Sequence, residues 1–143
     1  MKFNERLKNI RKRANVTQKS VSEYLGVTLR TYQRYEEGTI EPPLSTVSAL
    51  SQFFETPVDC LLGNGFFTNW EEILLHKEEL LNFLKDKIIT FPEDYDLSTI
   101  SDSLLARLLP AIFSKITFNG SVIHVFPLVP YEMFPLSIHA DES

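Results

Sequence analysis

The stretch that decides the fold of the first half of this chain is residues 17–38, TQKSVSEYLGVTLRTYQRYEEG. Thr17 and Thr28 each precede a run of helix-forming residues, and a threonine hydroxyl at that position accepts a hydrogen bond from a free backbone N–H of the first turn. Gly26 and Gly38 follow the two runs, and glycine readily adopts the left-handed conformation that ends many helices. The stretch therefore predicts two short helices joined by a tight turn.

The second helix of this pair has two chemically different faces. Tyr32 and Tyr35 are three residues apart and are expected to point inward. The residues left facing outward are Leu29, Arg30, Gln33 and Arg34. Long polar side chains on the exposed face of a short, braced helix are typical of a helix that enters the major groove of DNA.

Three further helices are predicted around this pair. The first helix of the chain covers about residues 3–14. The fourth begins after Pro42 and Pro43 and is capped by Ser45. The short fifth helix begins at Pro57 and ends at Gly63. The apolar residues expected to face inward are Phe3, Leu7, Ile10, Ala14, Val21, Tyr24, Leu25, Tyr32, Tyr35, Val47, Leu50, Phe53, Phe54, Val58, Leu61 and Leu62.

Five short helices with these capping residues resemble the lambdoid-repressor or Cro-like helix-turn-helix family, the XRE type. The resemblance covers residues 3–62 and departs from the family pattern only slightly, at Ser22 and Tyr32. The residues that carry it are Leu7, Arg11, Thr17, Gln18, Ser22, Leu25, Gly26, Val27, Thr28, Tyr32, Tyr35, Glu36, Gly38, Pro42, Leu50, Leu61 and Leu62. It implies a DNA-binding transcriptional regulator.

The resemblance also implies a set of DNA contacts. Gln18 would bind a phosphate and fix the register of the protein on the duplex without carrying sequence information directly. Arg11 and Glu36 would form an internal salt bridge. Arginine can donate twice to guanine and glutamine can pair both ways with adenine, whereas leucine can only contact a thymine methyl; Arg34 would reach either bases or phosphate. The DNA-binding residues expected are Gln18, Thr28, Leu29, Arg30, Gln33 and Arg34.

Charge separates the two halves of the chain. The net charge is −5, but residues 1–34 contain nine Lys and Arg residues against two Glu. Residues 63–143 contain five basic and twelve acidic residues. A basic N-terminal face would attract phosphates, and the acidic half is expected to face away from the duplex.

The family resemblance does not reach residues 64–143. The predicted fold is mainly α, with a five-helix DNA-binding domain at 1–63 and a small α+β domain at 64–143 for dimerisation or sensing. The second domain is expected to contain a long helix at 69–88, another from Ser98 to about 115, and a β-hairpin around Asn119-Gly120. The long helix has a wide apolar stripe that includes Leu75; it would either pack on its own domain or form a dimer contact.

The sequence gives little reason to expect catalysis. The three histidines and the single cysteine, Cys60, have no metal-site spacing, and there is neither a glycine-rich phosphate loop nor the pattern of a self-cleaving serine–lysine peptidase. We therefore expect no enzyme activity, no metal and no cofactor. The charged N-terminus and the lack of an apolar run of ~20 residues argue against a signal peptide and a membrane span, which favours a cytoplasmic protein without membrane contact.

These observations predict a sequence-specific regulator of transcription, a dimeric repressor whose partners are double-stranded DNA and a second copy of the chain. Two alternatives remain open at this stage. One is an antitoxin-type protein whose C-terminal half binds a protein partner while the N-terminal half autoregulates. The other is a ligand-responsive regulator whose C-terminal half binds a peptide or a small molecule.

Overall fold

The structure is a computed structural model that describes residues 1–87, 99–120, 122–128 and 136–139. The chain forms two compact units, Met1–Asn64 and Gly65–Ser143. Each unit has its own set of buried apolar side chains.

The first unit consists of five α-helices. Their bounds are α1 Phe3–Arg13, α2 Gln18–Leu25, α3 Leu29–Glu37, α4 Leu44–Phe53 and α5 Val58–Leu62. Gly26, Gly38 and Gly63 follow α2, α3 and α5 with φ of 70°, 80° and 70°, which is the left-handed conformation expected of helix-ending glycines. The predicted order of five short helices is confirmed.

One apolar cluster holds these five helices together. Its centre contains side chains from four of them, Leu7, Val21, Tyr32 and Leu50, all fully buried, together with Leu61 of α5. The rings of Tyr32 and Tyr35 pack edge to face, with centroids 6.3 Å apart. Complete burial of a large apolar side chain contributes about 1.5–3 kcal/mol, so this cluster is the main source of the unit's stability.

Several sequence predictions for this unit are wrong in detail. Ser45 does not cap α4, because the helix already begins at Leu44 and Pro43 occupies the cap position without a side-chain bond. Tyr24 is half exposed, and its ring lies against Phe53 of α4 at the rim of the cluster rather than inside it. The other predicted inward residues that are exposed are Ala14, Val58 and Leu62. A helix this short buries only a narrow stripe, so neighbours at the edge of that stripe remain in solvent.

The second unit contains helices followed by a sheet. A 3₁₀ helix, Gly65–Asn69, leads into α6 Trp70–Leu75 and α7 Lys77–Lys87; α8 covers Asp102–Ile112. The predicted long helix is thus interrupted at His76, whose ring stacks on Phe118 at a centroid distance of 5.6 Å. Just after the break, Lys77 donates hydrogen bonds to the Ile100 carbonyl and to Asp102. These contacts with distant segments fix the break, and the stretch itself contains no Pro or Gly.

The sheet has three antiparallel strands in the order β1-β2-β3: β1 Phe113–Asn119, β2 Val122–Pro127 and β3 Leu136–His139. Asn119 pairs with Val122, and Gly120 follows it with φ of 62°, which confirms the predicted hairpin. The helix that was predicted to run to about 115 ends at Ile112, where β1 takes over. Ser98, its predicted cap, lies outside the described residues, and Ser101 caps α8 by accepting from Leu104 N–H at 3.1 Å.

Candidate nucleic-acid interface

The connection between α2 and α3 is fixed by local hydrogen bonds. Thr17 Oγ1 accepts from Ser20 N–H at 3.0 Å, and Thr28 Oγ1 accepts from Thr31 N–H at 3.1 Å, as predicted for both caps. Between them, the Val27 N–H donates to the Ser22 carbonyl at 3.1 Å across the turn. A cap of this kind stabilises a helix by about 1 kcal/mol, so the first residue of α3 has a well-defined position.

The two helices pack closely because the residue between them is small. Ser22 is buried, and its hydroxyl donates to the Lys19 carbonyl at 2.8 Å within the same helix. Tyr32 and Tyr35 turn the inner face of α3 into the core, as predicted. The orientation of α3 is therefore determined by packing as well as by its cap.

The residues predicted to contact DNA lie at the start of α2 and on the outer face of α3. Thr28, Leu29, Arg30 and Arg34 are exposed. Gln18 and Gln33 are partly buried and lie against each other, with Gln33 Nε2 donating to Gln18 Oε1 at 3.4 Å. This contact is not predicted by the sequence pattern, because the two glutamines are fifteen positions apart.

A buried ion pair connects α3 to α1. Arg11 Nε donates to Glu36 Oε2 at 2.6 Å and Arg11 Nη2 donates to Glu36 Oε1 at 3.0 Å, which confirms the predicted pair in a two-pronged form. The two side chains are 13% and 3% exposed. A third bond links Arg11 Nη1 to the Val16 carbonyl at 3.1 Å, just before α2. The pair thereby fixes α3 relative to α1 and to the start of α2.

Glu36 remains ionised at neutral pH despite its burial. Burial raises the pKa of this carboxyl, but hydrogen bonds from Arg11 and Gln18 outweigh it and hold the pKa below its ordinary value. The hydrogen bond with Glu36 likewise raises the pKa of Arg11. Burial and, to a smaller extent, the nearby Glu36 carboxylate raise the pKa of Tyr32, so its phenol stays protonated.

Next to this pair is an open cleft of about 340 Å³, lined by Lys8, Gln18, Gln33, Glu36 and Glu37. In it, Gln18 Nε2 donates to Glu36 Oε1 at 3.2 Å. A continuous path of hydrogen bonds therefore runs from Arg11 through Glu36 and Gln18 to Gln33 on the outer face of α3.

Arg30 also has a partner that was not predicted from the sequence. Its Nη1 lies 3.0 Å from Glu37 Oε1, and both side chains are largely exposed. The two residues are seven apart, two helical turns along the same face of α3, and this spacing is a signal that could have revealed the contact. An exposed ion pair contributes only ~0–1 kcal/mol, so Arg30 can exchange Glu37 for another acceptor at little cost.

Comparison with known proteins shows the family. A helix-turn-helix family model matches residues 7–59, which span α1 to α5. The cryptic phage CTXphi transcriptional repressor RstR of Vibrio cholerae is 30% identical over 105 residues, 73% of this chain and 89% of that protein. The chain belongs to the XRE-type helix-turn-helix family of transcriptional regulators.

Two relatives from Bacillus subtilis support the family assignment. The HTH-type transcriptional regulator ImmR is 32% identical over 113 residues, 76% of this chain and 89% of ImmR. The SPbeta prophage-derived HTH-type transcriptional regulator YonR is 36% identical over 80 residues, 55% of this chain and 74% of YonR. No solved structure matches the chain significantly.

As a member of this family, the chain is a DNA-binding regulator. Within the described ranges, no group of three or more His, Cys, Asp or Glu residues is placed to hold a metal ion. None of the helices in the described part of the chain is both long and apolar enough to span a bilayer. Cys60 is buried in the first unit.

Proposed function

We propose that the chain is a dimeric, sequence-specific repressor that contacts its operator through α3 and the start of α2. The residues that carry the interaction are Gln18, Thr28, Leu29, Arg30, Gln33 and Arg34. The observation that carries this proposal is the outer face of α3. Its long polar side chains project from a helix fixed by a cap, two buried tyrosines and a buried ion pair.

The chemistry of this face suits the edges of bases. A guanidinium such as that of Arg30 can donate twice to guanine, and the amide of Gln33 can pair both ways with adenine. Leu29 at the start of α3 can contact a thymine methyl group. Gln18 at the first position of α2 suits the phosphate backbone, which positions a protein on the duplex without itself specifying sequence.

A single recognition helix contacts only a few base pairs, so useful specificity requires two. The relative RstR is named a transcriptional repressor, and this chain spans 89% of its length. Dimerisation would place two copies of α3 about one helical turn apart on a two-fold operator. Leu75 on α6 belongs to the wide apolar stripe and is 79% exposed in the single chain, so it is the residue at which we test for a contact in the second unit.

The experiment that tests this proposal is selection of binding sites from genomic DNA with the purified full chain. We expect one enriched sequence with two-fold symmetry and half-sites about one helical turn apart. Arg30→Ala and Gln33→Ala should each cost about 1–3 kcal/mol on that operator and relax specificity at one position of the half-site.

Gln52→Ala is the matched control, because Gln52 is an exposed glutamine near the end of α4. It should bind the operator and scrambled duplexes as the unsubstituted protein does. Unchanged discrimination in both the Arg30 and the Gln33 variants would refute the assignment of α3 as the helix that contacts bases. Selection of no common sequence would refute sequence-specific binding altogether.

A further inference from the structure

A chain of side-chain hydrogen bonds connects a buried charge to the outer face of α3. Glu36 Oε1 accepts from Gln18 Nε2 at 3.2 Å, and Gln18 Oε1 accepts from Gln33 Nε2 at 3.4 Å. Arg11 holds the Glu36 carboxylate from the other side through both of its oxygens. The last member, Gln33, is the residue to which the proposed function assigns an adenine contact.

The chemistry of the first member determines how the other two are oriented. A glutamine amide has an acceptor on one side and a donor on the other, and the two ends have nearly the same shape. An ionised carboxylate can only accept, so Gln18 must turn its NH₂ group toward Glu36. Its carbonyl oxygen then faces Gln33, which in turn must present its own NH₂ group to Gln18. One negative charge thereby orients two amides.

This orientation matters for base contacts. Glutamine recognises adenine when its NH₂ donates to N7 and its oxygen accepts from the N6 amino group. The NH₂ group of Gln33 has two hydrogens, and the bond to Gln18 uses one. The second hydrogen and the oxygen of Gln33 are then presented to the groove in a fixed order, whereas a reversed amide would present them in the opposite order.

We propose that Glu36 is a specificity-positioning residue, which acts through Gln18 to set the amide orientation of Gln33 and so its preference for a base. This inference rests on the proposed function, because it needs Gln33 at a base edge. Glu36 itself is buried and belongs to the inner side of α3. Its influence on sequence preference is therefore indirect.

The substitution Glu36→Gln tests the proposal in the full chain. The new amide must place an NH₂ group at one of the two former oxygen positions. Both former oxygen positions face Arg11, one at 2.6 Å from Nε and the other at 3.0 Å from Nη2, and the second also faces Gln18. The shorter contact keeps the oxygen, so the NH₂ group would face Gln18 and displace Arg11 Nη2. Gln18 and Gln33 would then both reverse, and discrimination at the base pair that Gln33 contacts should fall roughly tenfold.

The measurement is the ratio of affinities for the operator and for a set of duplexes that each change one base pair of the half-site. All affinities are measured at one temperature, at which circular dichroism shows that every variant is fully folded. Gln33→Ala identifies the position that Gln33 contacts. Gln18→Leu breaks the hydrogen-bond path between Glu36 and Gln33 while leaving the Arg11–Glu36 pair in place. It should lower the affinity for every duplex, because the phosphate contact of Gln18 is lost. It should also relax discrimination at the base pair that Gln33 contacts.

The proposal predicts that Glu36→Gln loses discrimination at the Gln33 position and keeps it elsewhere, and that it has no further effect on specificity in a Gln33→Ala background. An equal loss at all positions, or no loss, would overturn it, because a purely structural Glu36 has no reason to act on one base pair. Failure of the proposed function is distinguishable, since in that case Gln33→Ala itself relaxes no position.

Discussion

Replacing Glu36 by alanine should destabilise the first unit by about 3 kcal/mol. The substitution removes a carboxylate that is 3% exposed and accepts two bonds from Arg11 and one from Gln18. Breaking a fully buried pair by removing one partner costs about 3–5 kcal/mol, because the remaining charge stays buried and uncompensated. Arg11 is 13% exposed and keeps its bond to the Val16 carbonyl, which places the expected cost near the lower end of that range.

The assay is urea or thermal unfolding of the full chain, in which the helical circular dichroism signal is monitored. For a unit of this size 1 kcal/mol shifts Tm by about 4–8 °C, so the variant should melt roughly 12–24 °C lower. Trp70 is the only tryptophan and is buried in the second unit, so its fluorescence reports on that unit separately.

The neighbouring Glu37→Ala serves as the control. Glu37 is an acidic residue of the same helix whose ion pair is exposed, and its loss should change stability by no more than about 0.5 kcal/mol. A Glu36→Ala protein as stable as the control would refute the reasoning, because it would mean that the buried Arg11 charge does not need its carboxylate partner.

Three further predictions concern the same surfaces. Because the pKa of Glu36 is lowered on folding, its stabilisation is fully present above its ordinary value of 4.5 and lost as the pH falls through the folded-state pKa. The difference in unfolding free energy between the unsubstituted protein and Glu36→Ala should therefore stay constant well above pH 4.5 and narrow as the pH falls below it toward pH 3; a difference that stays constant throughout would contradict this. Glu37→Ala should strengthen DNA binding roughly 3- to 10-fold at low salt, since it frees Arg30 and removes a negative charge, and the gain should fade at high salt; weaker binding would instead make Glu37 a positioning partner of Arg30. Light scattering should find the full chain dimeric and Leu75→Lys shifted to monomer, whereas Leu44→Lys, at an 88% exposed leucine of the first unit, should stay dimeric; the reverse pattern would place the interface in the first unit.

Features that depend on neighbouring residues were predictable from the sequence. The caps at Thr17 and Thr28 and the ending of α2 at Gly26 each involve atoms within about four residues, so the pattern of residue types determines them. The same holds for the hairpin at Gly120. The Arg11–Glu36 pair was predicted as well, but from the family resemblance, since no local rule connects residues that far apart.

Tertiary packing decided the features that involve distant partners. The interruption at His76 depends on Phe118 of β1, and the half-exposed position of Tyr24 depends on Phe53 of α4. Periodicity identifies which residues could form an apolar face, but the width of the neighbouring surface determines how many of them are buried.

The candidate DNA-binding site also combines features that the sequence predicts with features that only the packing of the helices determines. The sequence by itself determined which side chains lie on the outer face of α3, because helical periodicity and two inward tyrosines leave no other arrangement. Only the folded structure placed Gln18 between Glu36 and Gln33 and Arg30 beside Glu37. Hydrogen bonds between side chains depend on distances that are set by how helices pack, and that packing brings together residues from α2 and α3 whose separation along the chain carries no signal of contact.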